Sequence, residues 1–479
     1  MIFFNKIFSK MPLVVVLGAT GAGKSKLALE IATKFNGEII SADSMQVYKG
    51  LDIITNKVTP EEQVHCKHHL LDYVDPLVTS YRVTDFRDAA LPIIADLEKQ
   101  RKLAVIVGGT NYYIESLLWN FVLDDNQEVQ NHPELQSESK EGAVDLQSDS
   151  SSEEEIENEP KKKRERDEYV GIESVELHRK LKDVDPEMAL KLHPNNRRKI
   201  IRALEVFRKH GSKMTEILKL QHEEMGCSHA LSGPLRFPNT CCIWVNANQD
   251  VLDDRINNRT EDMISRGLLQ ELTGFHDNYN KQRLQENKAP DYTHGIFQSI
   301  GFKEFHQYLI LSEDEKNSER GRLLFKEGKE QLQLVTRRYA RKQKKWITNR
   351  FLKRPGEAPP VFAVDSTYPD QWEKDAQKPA FSVVEAFLKG EDYPIEPLPR
   401  GDNSANQPEH NVCEACEKVF LTKQQWADHT KSRKHQKRLA KWKHNRNKAD
   451  SNEHTNKTDN SDGDSVNELN KNDTIAGPS

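Results

Sequence analysis

Residues 13–25, LVVVLGATGAGKS, decide the fold. Leu13 to Leu17 are apolar and mostly β-branched, which predicts a short strand buried on both faces, as in a parallel sheet. Gly18, Ala19, Thr20, Gly21, Ala22, Gly23, Lys24 and Ser25 then match G-x-x-x-x-G-K-[ST], and Leu27, Ala28, Ile31, Ala32 and Phe35 repeat with helical spacing. A strand before and a helix after give that motif its meaning as a phosphate loop. Its glycines let backbone N–H groups converge on phosphate oxygens, and the helix N-terminus favours the anion. Lys24 adds a point charge, and Ser25 is the expected Mg²⁺ ligand. These eight residues are the expected diphosphate cradle. The motif alone does not say that a phosphoryl group is transferred.

Outward from this loop the alternation continues. Asn36-Gly37 ends the helix, and residues 38–42 read as the next strand, with Asp43 at its carboxyl end. Ligands of open α/β sheets bind at that edge, so Asp43 is expected to face the phosphates as a general base, a Mg²⁺ ligand through water or a helix cap. Residues 103–107 read as a third strand, closed by Gly108-Gly109-Thr110, whose glycines would permit close approach to a ligand; Asn111 is the expected cap of a helix from Tyr112 to Trp119. Strand–loop–helix alternation predicts an α/β fold, a P-loop NTPase-like parallel sheet.

The pattern collapses after Val122. Residues 11–123 therefore read as the first part of the core, and 124–168, rich in Asp, Glu, Ser and Gln, as a disordered acidic insertion. Helical periodicity returns at 175–182, 186–192 and 197–209, giving a helical insertion domain at 169–235. A strand at 241–245 and helices at 249–277 and 321–351 place the second part of the core at 236–352. Residues 353–407, with many prolines, read as an irregular linker, 408–449 as a small metal-binding unit and 450–479 as a disordered polar tail.

Composition agrees with a chain that is only partly packed. Of 479 residues, 36% are hydrophobic and 30% charged, with 70 Lys and Arg against 75 Asp and Glu. The apolar share lies below that of a compact domain. Six cysteines in this length exclude a disulfide scaffold and suggest a reducing compartment. No apolar run is long enough to span a bilayer. Residues 1–10 are apolar and basic, and the first acidic residue is Glu30, so they read either as a mitochondrial presequence or as an extra turn packed on the core. Initiation at Met11 would leave the core intact, so cytoplasm and mitochondrion are both expected. Lys161–Arg164 offers a nuclear import signal.

Cys413-x₂-Cys416-x₁₂-His429-x₅-His435 has zinc-finger spacing, with Phe420 and Trp426 as a minimal core. Two thiolates and two imidazoles suit tetrahedral Zn²⁺, which would drive folding of so small a unit. The long His–His gap resembles fingers that bind double-stranded RNA, and residues 437–443 are basic. RNA or protein could be the finger's partner. Arg197, Arg198, Lys199 and Arg202 cluster at one helix start. Arg337, Arg338, Arg341 and Lys342 lie on another helix beside Tyr339 and Trp346, a composition suited to phosphate backbone and unstacked bases.

Several blocks together resemble the tRNA dimethylallyltransferase family. They are 18–25, 41–57, 68–72, 81–86, 107–113, 193–199, 255–259, 298–304 and 336–343, within a resemblance covering about residues 12–352. The resemblance implies transfer of a dimethylallyl group from its diphosphate to N6 of adenosine 37 of tRNA. It makes Asp43 the general base and Thr20 a substrate contact, and Ser44, Met45 and Gln46 the strip for the target nucleotide. Arg255 and Arg259, one helical turn apart, are both candidates to clamp the diphosphate, with Arg259 preferred. The tRNA surface implied includes Asn195, Asn196, Arg197, Arg198, Lys199, Gln298, Ser299, Ile300, Gly301, Arg337, Arg338 and Arg341. The expected cofactors are Mg²⁺ and the finger's Zn²⁺, and the expected enzyme is a monomer that binds tRNA and dimethylallyl diphosphate and no membrane. Bacterial members lack the finger, so the resemblance is to the eukaryotic type. The competing readings are a P-loop nucleotide kinase with an appended nucleic-acid-binding finger, which would need lid arginines, and a non-catalytic RNA-binding protein, against which intact Lys24, Ser25 and Asp43 argue.

Overall fold

The computed structural model describes residues 11–78, 80–120, 169, 171–224, 233–280, 292, 294–401 and 408–458. The expected presequence at 1–10, the acidic insertion at 124–168 and residues 459–479 of the expected tail lie outside the described residues. The chain divides into two compact units, Met1–Glu141 with Leu218–Asn403, and Gly142–Ile217 with Ser404–Ser479.

The first unit holds six parallel strands: β1 (Leu13–Gly18), β2 (Gly37–Ser41), β3 (His68–His69), β4 (Leu103–Val107), β5 (Thr240–Asn246) and β6 (Val361–Asp365), in the order β3-β2-β4-β1-β5-β6. Its main helices are α1 (Lys24–Lys34), α2 (Val83–Lys99), α3 (Asn111–Leu118), α4 (Gln249–Ser265), α5 (Leu268–Tyr279), α6 (Glu319–Ile347) and α7 (Lys378–Lys389). Alternation along β1 explains why both faces are covered. Val14 and Val16 pack with Leu27 and Ile31 of α1 and Val383 and Phe387 of α7. Leu13, Val15 and Leu17 pack with Phe86 and Ile94 of α2, Leu117 of α3 and Phe351. The chain runs from β1 to strands on one side, then crosses to β5 and β6 on the other. That reversal opens a crevice at the carboxyl end of β1, the usual ligand position in such sheets.

The structure corrects the reading of 353–407 as an irregular linker. Val361, Phe362 and Val364 are buried in an edge strand paired with β5, and Ala380, Val383 and Val384 of α7 cover the sheet. The prolines misled because they stand where they do no harm. Pro360 precedes the strand, and Pro379 lies where α7 takes over from the π-helical turn Glu373–Gln377. Two smaller corrections concern caps and ends. Thr110, not Asn111, is the N-cap of α3, and Asn111 is buried in its first turn. The last helix among the described residues runs from Arg433 to Thr458, into the stretch read as a disordered tail.

A third apolar cluster lies under the segment after β2. Val47, Tyr48, Leu51 and Ile54 pack on Leu268, Leu272 and Phe275 of α5 and on Phe302 and Phe305. Polar staples hold the same segment. Lys57 donates to Tyr48 O at 2.7 Å and Gly50 O at 2.9 Å, and Glu271 accepts from the N–H groups of Ile53 and Ile54 at 2.7 and 3.0 Å. Within the same unit, an isolated antiparallel bridge joins Trp119 to Leu235.

The second unit contains helices Ser174–Val184, Pro186–Lys191 and Arg197–His210, packed through Leu177, Leu181, Ile200 and Ala203. Buried Asp185 ties them together, accepting from Met188 N at 3.0 Å and Thr215 Oγ1 at 2.7 Å. The hairpin Pro408–Cys413 and Lys418–Thr422, with helix Lys423–Lys431, completes it.

Candidate functional site

A cavity of about 230 Å³ opens at the carboxyl ends of β1, β2 and β4. Thr20, Gly21, Gly23, Lys24 and Ser25 line one side, Asp43 and Gln46 another, Gly108 and Gly109 a third, with Arg259, Tyr339 and Gln343 closing it. Of the eight expected loop residues, Ala19 and Ala22 instead point into the core, and Gly18 packs so closely on β5 that a Cβ there would stand 2.6 Å from Val245 O.

Lys24 is buried and donates to Ala19 O at 2.9 Å. Burial pulls its ammonium from 10.5 down to about 8; the Asp43 carboxylate opposes this, and Arg259 adds to the lowering. A pocket that makes a lysine this reluctant to stay charged without a counter-ion is built for an anion. Arg259 donates to Thr20 Oγ1 at 2.9 Å, with its guanidinium pKa lowered by burial. Two cations and the N-terminus of α1 thus face one space.

Asp43 follows β2 and faces that space. Its Oδ1 accepts from Met45 N at 2.9 Å, which turns the chain and fixes the carboxylate. A Cβ on Gly109 would lie 3.0 Å from Asp43 Oδ2 and 2.8 Å from Gln343 Nε2. Gly108 serves a different purpose from the one expected of it: a Cβ there would meet Ala42 O at 2.0 Å, so its close approach is to the neighbouring strand end and not to a ligand. Gln46 lines the cavity, but its side-chain amide donates to Thr55 O and Asn56 O at 3.1 and 3.0 Å. Ser44 is held through Thr110 Oγ1 at 2.9 Å and, with Met45, lies outside the cavity lining.

The two candidate arginines separate. Arg259 reaches the cavity, whereas Arg255 donates to Ser366 O at 2.6 Å and Thr367 O at 3.1 Å, away from it. Arg255 as a diphosphate clamp is thereby corrected: one helical turn displaces its head to the end of β6.

Sequence reasoning missed Gln343 as a site residue. It is buried, accepts from Thr20 N at 2.8 Å and donates to Gly109 O at 2.9 Å, so it bridges the phosphate loop and the loop after β4. Tyr339, one turn earlier, donates to the same carbonyl at 3.1 Å, and burial raises its phenol pKa well above the ordinary value. The signal was the spacing of Tyr339 and Gln343 on the apolar stripe of Ala340 and Ile347, masked by the surrounding charges.

The expected tRNA surface divides as well. Arg337 donates to Asn257 Oδ1 at 2.5 Å and Arg341 pairs with Asp253, so both fasten α6 to α4. Arg338 and Lys342 stand exposed on the same helix. Ser299 and Gly301 are buried, Gly301 against Ile54, while Gln298 is exposed. In the second unit Arg197 donates to the carbonyls of Ile172 and Tyr169, and Asn195, Arg198 and Lys199 are exposed.

The four expected metal ligands come together. Ligand atoms of Cys413, Cys416, His429 and His435 all lie within 4.8 Å of one another. His429 Nε2 is buried without a hydrogen-bond partner, and Phe420 stacks on its ring at 4.2 Å. A buried imidazole nitrogen aimed at two thiols fits Zn²⁺.

A family model described as IPP transferase matches residues 46–350, and one described as a zinc-finger of C2H2 type matches 412–435. The tRNA dimethylallyltransferase of Mus musculus is 45% identical over 440 residues, covering 91% of this chain and 88% of the relative. That of Homo sapiens is 45% identical over 433 residues, covering 90% and 86%. A solved eukaryotic dimethylallyltransferase acting on tRNA superposes with a TM-score of 0.69 at 26% identity, over 93% of this chain and 100% of that one.

Proposed function

The chain belongs to the IPP transferase family, and we propose that its cavity binds dimethylallyl diphosphate and transfers the dimethylallyl group to N6 of adenosine 37 of tRNA. The activity is that of a tRNA dimethylallyltransferase, and the kinase reading falls with the family membership. The observation that carries the assignment of roles is the convergence of Lys24, Arg259 and Asp43 on one cavity.

The chemistry follows from the charges. The allylic C1–O bond breaks, C1 bonds to N6, the diphosphate leaves with the bonding pair, and an N6 proton moves to a base. Leaving-group charge grows where Lys24, Arg259 and the loop amides face it. The N6 lone pair is delocalised into the adenine ring, so removal of its proton by Asp43 assists attack. The hydroxyl of Ser25 is an oxygen donor of the kind Mg²⁺ takes. Mg²⁺ held there would neutralise the departing diphosphate. The exposed cations of α6, and those of the helical insertion, support phosphate-backbone contacts with tRNA.

We also propose that the protein acts as a monomer in cytoplasm and mitochondrion, the latter through residues 1–10, with nuclear entry through Lys161–Arg164. Met11 is buried in the sheet's second core cluster, which supports a complete core in a chain begun there. Among the described residues no helix is long and apolar enough to cross a membrane.

The test uses labelled dimethylallyl diphosphate, Mg²⁺ and unmodified tRNA carrying A36-A37-A38, without ATP. Label is expected in N6-alkylated adenosine. Asp43→Asn should lower turnover by roughly 10²–10⁴-fold with tRNA affinity nearly unchanged. Lost tRNA binding with residual turnover would assign Asp43 to recognition instead.

A further inference from the structure

We propose that Trp372, anchored through Arg255, is a brace that holds the phosphate loop in its anion-binding shape. The proposal rests on the diphosphate reading of the cavity. Trp372 lies beyond the residues matched by the family model and does not line the cavity. It nevertheless touches the loop at Gly23 and the helix that follows at Lys26 and Glu30. Its ring lies on Gly23: a Cβ there would stand 2.9 and 3.0 Å from two ring carbons. Lys26 Nζ sits 4.5 Å from the ring centroid, and the indole N–H donates to the Glu30 carboxylate at 3.0 and 3.1 Å. One side chain thus fixes the last glycine of the loop, a lysine of the cavity wall and the first turns of α1.

Gly23 has φ +91°, a left-handed conformation that glycine enters and leaves readily, and the Trp372 ring packed on it restricts that freedom. The brace is itself anchored. Arg255 donates to the carbonyls of Ser366 and Thr367, Asn248 N donates to Thr367 Oγ1 at 3.0 Å, and Ser366 N donates to Asn246 O at 2.8 Å. The chain then delivers Trp372 to the loop six residues beyond Ser366. Arg255, the less favoured of the two arginines that the resemblance offers as a diphosphate clamp, acts on it at second hand, as a positioning residue.

The consequence is specific to the diphosphate. A loop that holds its competent shape for a fraction of the time binds more weakly in proportion to that fraction, while the loaded form is unchanged. Loss of the brace therefore raises KM for dimethylallyl diphosphate and leaves kcat near wild type.

The experiment measures inorganic pyrophosphate affinity in Mg²⁺ by calorimetry, with steady-state kinetics and tRNA affinity, for full-length Trp372→Ala, Trp372→Phe, Arg255→Ala and the Ala double variant. Trp372→Ala should weaken pyrophosphate binding and raise KM by about tenfold, if the loop is competent about a tenth of the time. Trp372→Phe, which keeps the ring face, should stay within about threefold. Arg255→Ala should act in the same direction, and the double variant should lose no more than Trp372→Ala, since both cut one chain of contacts. Pyrophosphate affinity unchanged in Trp372→Ala would overturn the brace, as would an equal loss of tRNA affinity or of kcat. Additive losses in the double variant would overturn the anchoring by Arg255. A wild-type enzyme that binds no pyrophosphate would overturn the diphosphate reading, and the brace with it.

Discussion

Glu115 of α3 is wholly buried, yet it carries three donors from the end of α6 and beyond. Arg350 reaches it at 2.8 Å, Arg354 at 3.1 Å, and the Trp346 indole N–H also donates to it. Arg354 is equally buried, stacks 3.7 Å above the Trp119 ring, and is pulled by burial down to about 10 against the carboxylate's opposing effect. Glu115→Ala removes the carboxylate that pairs with this guanidinium, and breaking a buried pair from one side costs about 3–5 kcal/mol. At roughly 2–4 °C per kcal/mol in a domain of this size, melting should fall by roughly 10 °C. Arg350 is partly exposed, so Arg350→Ala should cost only about 1 kcal/mol. Calorimetric melting of the three proteins, with specific activity at 20 °C, checks the reasoning. Glu115 does not line the cavity, so the folded variant should retain activity within about threefold. A Glu115→Ala protein melting within 2 °C of wild type would refute it.

Three further outcomes are expected. Charge reversal at exposed Arg338 and Lys342 should weaken tRNA binding and flatten its salt dependence, whereas Arg337→Ala should lower thermal stability instead; nitrocellulose binding at several salt concentrations, with melting, separates the two. Removing Zn²⁺ with a chelator should make the Cys413 and Cys416 thiols reactive and abolish hydrogen-exchange protection in the finger, and deleting 408–479 should weaken tRNA affinity while sparing the chemistry. Burial opposes ionisation of Glu38, but hydrogen bonds from Lys102 at 2.5 Å and His69 at 2.6 Å outweigh it and hold its pKa below 4.5. Its folded pKa is depressed, so its contribution is present above pH 4.5 and lost as pH falls through the folded value; Glu38→Gln should lower stability at neutral pH and shallow the acid limb of a denaturation curve.

The central sheet was legible because β1, β4 and β5 are built on continuous apolar runs bounded by glycine or a polar residue, and β2 carries Ile39 and Ile40 directly before Asp43's loop. Burial on both faces leaves that signature in the sequence alone. The edge was not legible. β3 is two residues long, and β6 sits behind two prolines among charged residues. The phosphate loop and Asp43 were readable because local geometry carries them: each follows directly from a strand end. Gln343 was not, because its role exists only when a helix more than 300 residues along the chain crosses the loop, and its place on the stripe of Ala340 and Ile347 marks it as buried without saying what it meets.

The same argument explains why spacing could not choose between the two arginines. Arg255 and Arg259 lie four residues apart on α4, on one face of the helix. One turn of the helix is enough for Arg259 to meet Thr20 while Arg255 meets the end of β6. A sequence of helical residues gives the face, but where the face points is set by the strand it packs beside. Here that strand end belongs to β6, inside the segment the prolines disguised. The order of 353–407 and the role of Arg255 are therefore one question: its carbonyl partners Ser366 and Thr367 take their place only beside β6, whereas the sequence alone offers the phosphate or the nearby Glu261 and Asp262.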